Sequence, residues 1–142
     1  VIKKVNILYE FEEISKPPFF NEVRITRWLN TIASSRGSSI KHIQYIFCDD
    51  EYLLEVNKEH LNHDYYTDII TFPYEEGKVI EADILISLER VGENADEYKV
   101  TFENELLRVM VHGLLHLTGM KDKTEEEMSL MRKAENEAIL NY

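Results

Sequence analysis

An α+β domain, a small mixed sheet with helices packed on it, is predicted by three observations in the 142-residue chain. Strand-like and helix-like segments alternate through the first half. Two β-rich segments then flank a short glycine-bearing loop. Finally, a helix near residue 110 is apolar on nearly every side, which only burial inside a domain explains. The length suits a single domain, 1–142, with a core of its own.

The elements follow in order. Val5–Phe11 (VNILYEF) reads as a first strand, and Pro17-Pro18 stops any helix from running through that point. From Asn21 to Ala33, the residues Val23, Ile25, Trp28, Leu29 and Ile32 recur at helical spacing, with Gly37 just beyond. Ile40–Cys48 reads as a second strand, and Asp49 or Asp50 caps a helix carrying Tyr52, Leu53, Val56 and His60. Thr67–Tyr74 and Val79–Ser87 form a hairpin of antiparallel neighbours around Glu75-Glu76-Gly77-Lys78. Leu88–Tyr98 reads as helical. Thr101 caps the buried helix that runs to Leu117, with Glu103 and Glu105 in its first turn where the macrodipole favours acid. Thr124 and Glu127 make a capping box for a last helix, whose Met128, Met131, Ala134 and Ala138 face the core.

Composition narrows the function. Sixteen Lys and Arg stand against 27 Asp and Glu, a net charge of −11, which excludes a polybasic nucleic-acid binder. Any contact with nucleic acid must be local. Cys48 is the only cysteine, so neither an intrachain disulfide nor a cysteine zinc site is available, and a reducing, cytoplasmic setting is expected. Val1–Glu13 lacks the apolar stretch of a signal peptide, and no run is long enough to span a membrane.

Chemistry concentrates after residue 110. His112 and His116 are four residues apart, so one helix face projects both imidazoles toward a common point. Gly119 can end the helix in a left-handed conformation and return Asp122 to that point. Two imidazoles and a carboxylate leave a fourth position for water, the arrangement of a catalytic divalent site, with zinc the ion expected. The bland alternative stays open: a His pair at this spacing also occurs in surfaces and cores, and Asp122 also suits an ordinary turn. Gly113 stands where a metalloprotease carries its general-base Glu, which argues against peptide hydrolysis.

Val111–Lys123 (VHGLLHLTGMKDK) resembles the H-G-x-L-H-L-x-G-Y-D-H motif of the YbeY family, metal-dependent endoribonucleases that act as rRNA maturation factors. Three further stretches agree in the same order: Val56-Asn57 with Leu-Asn, Thr67–Phe72 (TDIITF) with T-D-V-L-S-F, and Ala82–Ser87 (ADILIS) with G-D-I-x-I-S. The resemblance covers most of the chain after about residue 50. It implies a zincin-like metal helix and one divalent ion on His112, His116 and Asp122. The implied reaction is hydrolysis of single-stranded ribosomal precursor RNA by metal-activated water, in the cytoplasm. Against a net charge of −11, ribosomal subunit proteins are expected to supply part of the RNA docking surface, and no membrane is expected as a partner. A rival reading is a ribosome-associated assembly module whose metal is mainly structural.

The sequence departs from the family pattern twice. Asp122 stands where the family usually has a third His, and Leu61 aligns with an Arg expected to meet phosphate. Arg108, one turn before His112, is the candidate to bind a phosphodiester, against the plainer role of a salt bridge with Glu105. His60 and His63 read as surface residues. Asp68 and Asp83 read as strand-end caps or as a cleft wall, and Tyr65-Tyr66 as core packing or as a stacking surface. Glu75-Glu76 and Glu125–Glu127 read as solvated charge.

Overall fold

The computed structural model describes residues 5–142; the start of the Val1–Glu13 stretch, Val1–Lys4, lies outside the described residues. The element order is β1 (Ile7–Phe11), α1 (Glu22–Ser35), β2 (Ser39–Cys48), α2 (Asp50–Leu61), β3 (Ile69–Glu75), β4 (Val79–Ser87), α3 (Leu88–Tyr98), α4 (Phe102–Leu117) and α5 (Glu125–Leu140). The four strands form one mixed sheet in the order β1-β2-β4-β3. β1, β2 and β4 run parallel, and β3 pairs antiparallel with β4 as the hairpin predicts.

Strand alternation sorts side chains onto the two faces. Ile43, Tyr45 and Phe47 of β2 and Ile80, Ala82, Ile84 and Ile86 of β4 enter the larger core, with α1, α4 and α5. The intervening Leu85, with Cys48 and Ile70, packs against Leu53 of α2 on the opposite face. α4 crosses the larger core, and the Tyr45 hydroxyl donates to its Met110 carbonyl at 3.0 Å. The predicted caps Asp49, Thr101 and Thr124 each accept a backbone N–H in the first turn of their helix, Thr124 with Glu127 completes the capping box, and Asn21, read as the first helical residue, is the cap of α1.

Departures from the sequence reading are local. β1 starts at Ile7, where its pairing with Ile43 of β2 begins, and Val5 ahead of it is 63% exposed; Val23 of α1 is 70% exposed while Ile25, Trp28 and Leu29 carry the buried stripe. Met128 belongs to the surface rather than the core. The buried face of α5 begins one turn later than the sequence suggests, at Met131.

At Gly113 α4 lies close against the sheet. A Cβ there would lie 2.9 Å from Cδ1 of Ile69 and 3.4 Å from Cδ1 of Ile84. Gly113→Val is therefore expected to destabilise by about 2 kcal/mol through overpacking. Urea unfolding checks this, and Ile69→Val in the same chain should recover part of the loss. An unchanged midpoint in the single variant would refute the close approach.

One residue ties three turns together. The Gly77 N–H at the hairpin tip donates to the Leu117 carbonyl at the end of α4 (2.8 Å), and the Gly77 carbonyl accepts from Ser38 Oγ (2.6 Å).

Candidate metal centre

The last turn of α4 builds the site. His112 and His116 point the same way from it, with ring centroids 4.6 Å apart and planes at 83°. The helix then closes in a Schellman arrangement: Gly119 N–H donates to the His116 carbonyl (3.0 Å) and Met120 N–H to the Leu115 carbonyl (3.2 Å). Gly119 takes φ +111°, as expected for the glycine that reverses the chain. The reversal delivers Asp122, whose Oδ2 lies 3.4 Å from His112 Nε2 and 3.2 Å from His116 Nε2. One donor atom from each of the three side chains fits within 4.8 Å of the others, so the group could hold a metal ion.

Gly119→Ala tests the turn without touching a donor. A Cβ there meets nothing within 4 Å, so the cost is purely that of φ +111° for an L residue, about 1–2 kcal/mol. The expected result is that much loss of stability together with weaker divalent-ion binding, both read by thermal unfolding with and without metal. Equal stabilisation of variant and wild type by the ion would show that the turn does not set Asp122.

The other ring nitrogens are tied down. His116 Nδ1 lies 2.9 Å from the Met120 carbonyl oxygen, which can only accept, so Nδ1 carries the proton. His112 Nδ1 donates to Glu135 Oε2 at 2.7 Å. Both Nε2 atoms therefore keep a lone pair in the neutral imidazole, directed at the side of Asp122. Burial alone would push the His112 imidazole down. The Glu135 hydrogen bond and the nearby carboxylates of Glu135, Asp122 and Asp68 outweigh it and hold the imidazole above its ordinary value.

Glu135 is the residue that sequence reading missed. It sits on α5, is 5% exposed, and takes Arg108 Nη1 on Oε1 at 3.1 Å while Oε2 takes His112. Its signal was faint: it lies on the buried stripe between Met131 and Ala138, in a helix otherwise rich in solvated glutamates. Arg108 thus has Glu135 as its nearer partner, and the expected Glu105 contact is a looser 3.9 Å.

Glu105, Arg108, His112, Asp122 and Glu135 line a cleft of about 310 Å³ between α4 and α5, which also takes in Asp68 and Arg132, while His116 lines a neighbouring hollow with Met120. Asp68 lines the cleft, where its Oδ2 accepts from Asn94 Nδ2 at 3.4 Å, and its backbone carbonyl accepts from Ser87 N–H at 3.0 Å. Burial holds the Asp68 and Glu105 carboxyls above the ordinary range, which makes them candidates for proton exchange in the cleft. Asp83 is elsewhere, accepting from the Tyr74 hydroxyl at 2.6 Å. His60 and His63 are exposed, as expected, and Leu61 is 37% exposed. Tyr65 and Tyr66 correct the core-packing expectation: they are 55% and 49% exposed, in the segment that connects α2 to β3 and belongs to neither. The acidic residues Glu75, Glu76, Glu125 and Glu126 are exposed.

The sequence model of the family described as Endoribonuclease YbeY matches residues 10–142. The chain belongs to the YbeY family. The Endoribonuclease YbeY of Flavobacterium psychrophilum is 51% identical over 118 residues, 83% of this chain and 84% of that one. That of Cytophaga hutchinsonii is 48% identical over 137 residues, 96% of each chain. The solution structure of TM1509 from Thermotoga maritima superposes with a TM-score of 0.63 at 27% identity, covering 95% of this chain and 89% of that one. The α+β architecture read from the sequence is therefore the observed one. Among the described residues, no helix is long and apolar enough to cross a membrane.

Proposed function

We propose that this YbeY-family chain is a single-domain, metal-dependent endoribonuclease that hydrolyses single-stranded ribosomal precursor RNA during rRNA maturation and ribosome assembly in the cytoplasm. The observation that carries the metal reading is the pair of anchored imidazoles: each Nδ1 is engaged by an acceptor, leaving two Nε2 atoms beside Asp122 Oδ2. Two nitrogens and one carboxylate oxygen suit zinc, and no thiol competes, since the one cysteine, Cys48, is buried away from the group. A divalent ion bound there would supply Lewis acidity toward a phosphodiester and acidify a water molecule.

The chain's own residues do the positioning. Glu135 fixes the His112 ring, Met120 fixes the His116 ring, and Arg108 steadies Glu135 while lending the cleft wall positive charge for a phosphodiester. The acidic side chains of the cleft do not favour RNA, so ribosomal subunit proteins are proposed to share the docking.

Purified protein incubated with single-stranded RNA tests the reading. Cleavage is expected with divalent metal, loss after chelation, and restoration on returning zinc. Intact RNA under all conditions, with ribosomal subunits still bound by the metal-loaded protein, would replace the enzyme with the assembly module.

A further inference from the structure

The six arginines fall into two sets. Arg90, Arg108 and Arg132 each lie within 4.0 Å of a carboxylate. Arg24, Arg27 and Arg36 make no ion pair with a side-chain carboxylate among the described residues, and all three are exposed along one groove of about 510 Å³ between α1 and α5. Glu137 lines the same groove without pairing with any of them. In a chain of net charge −11, three guanidiniums are thus gathered on one groove with no side-chain carboxylate paired to them.

The groove is built to present that charge. Arg24 is held by stacking 4.0 Å from the Tyr142 ring centroid while its Nη2 donates to the Tyr142 carbonyl at 2.6 Å. Arg24, Arg27, Thr31 and Ser35 follow one stripe of α1, and Arg36 closes it, a length of roughly 18 Å at the helical rise. Thr31 and Ser35 turn their hydroxyls back onto helix carbonyls at 2.9 and 2.7 Å, so the guanidiniums are the main side-chain donors of the stripe.

α5 separates this groove from the metal cleft. Met131, Arg132 and Glu135 line the cleft, whereas Ala134, Glu137, Ala138 and Asn141 line the groove, and Lys133 is exposed between them. A strand lying across α5 therefore meets both. We propose that the Arg24-Arg27-Arg36 groove binds the phosphodiester backbone of the RNA and holds the strand flanking the bond that sits in the metal cleft. The identity of the strand rests on the endoribonuclease reading. Guanidinium forks match phosphate oxygens in pairs, and backbone contacts alone suit a flank that is held but not read. An acidic protein segment would also meet arginines, but the spacing along one helix and the ridge shared with the cleft favour the polyanion.

The test is salt-dependent binding of a long single-stranded RNA without divalent metal. For Arg27→Gln/Arg36→Gln the log–log salt slope should fall by roughly 1.4, and affinity at 0.1 M salt by roughly 25-fold. Both positions are exposed, so thermal unfolding should be unchanged, and lysine at both should keep most of the slope. With metal, KM for the long RNA should rise at constant kcat, while an RNA too short to leave the cleft should be cut as before. Lys41→Gln/Lys78→Gln, which touches neither cavity, should leave the slope alone. The proposal falls if the arginine variant binds like wild type, if the lysine variant loses as much, or if polyglutamate binding is lost while RNA binding is not. Groove-dependent RNA binding without cleavage by any metal-loaded form would keep the groove and discard the nuclease.

Discussion

His112→Ala and His116→Ala are each expected to remove tight divalent-ion binding and to lower RNA cleavage by at least about 10³-fold, some 4 kcal/mol of transition-state stabilisation. The argument is geometric. The three donors come from one helix turn and the bend after it, and each imidazole brings one free Nε2 to Asp122 Oδ2 at 3.4 or 3.2 Å. With one imidazole gone, only two protein donors remain, fewer than a catalytic zinc site ordinarily uses. The fold should survive, since both rings are partly exposed and the helix core lies on the opposite face. Metal content by mass spectrometry and cleavage rates on the same samples provide the check. Asp122→His should retain the ion, because an imidazole can take the carboxylate's place, and removing that negative charge should make the site's water more acidic, moving the pH–rate profile down. Full cleavage by a His112→Ala/His116→Ala chain carrying no metal would falsify the proposed site.

The second large effect is expected at Glu135, which touches no proposed metal position. Glu135→Gln keeps the shape but removes the charge that holds His112 Nδ1–H and Arg108 together, so divalent-ion affinity should drop roughly 10–100-fold. Glu135→Ala should cost about 3–5 kcal/mol in stability as well, because it strands the largely buried Arg108 with only the looser Glu105 contact. Two measurements separate positioning from mere support. Metal competition titration gives affinity, and ¹⁵N spectra of the His112 ring report its tautomer, which should become mixed in Glu135→Gln. An unchanged tautomer and unchanged affinity would reduce Glu135 to a structural ion pair.

Much of this was legible along the chain. The caps at Asp49, Thr101 and Thr124, the hairpin, and the strand alternation are local signals, and local hydrogen bonding and side-chain periodicity set them. The His112–Asp122 convergence was legible too, because α-helical spacing and one glycine bend span the whole distance. Glu135 was not, since its burial depends on how α5 lies against α4, a contact 23 residues away in sequence, and its local neighbours resemble a solvated face. The same limit explains Met128 and the Tyr65-Tyr66 pair. Apolar character was plain at each, yet whether a neighbouring element covers it is decided by where the chain turns.

The hairpin tip has a bearing on how such chains can diverge. Surface turns ordinarily absorb insertions with little consequence. This one has no slack, because the backbone N–H and C=O of Gly77 are both committed, one to the end of the helix that carries the histidines and the other to the turn before β2. Drift in loop length is thereby disfavoured at a site remote from any chemistry, and extra residues are more easily accommodated in the exposed 62–66 segment, whose side chains face solvent.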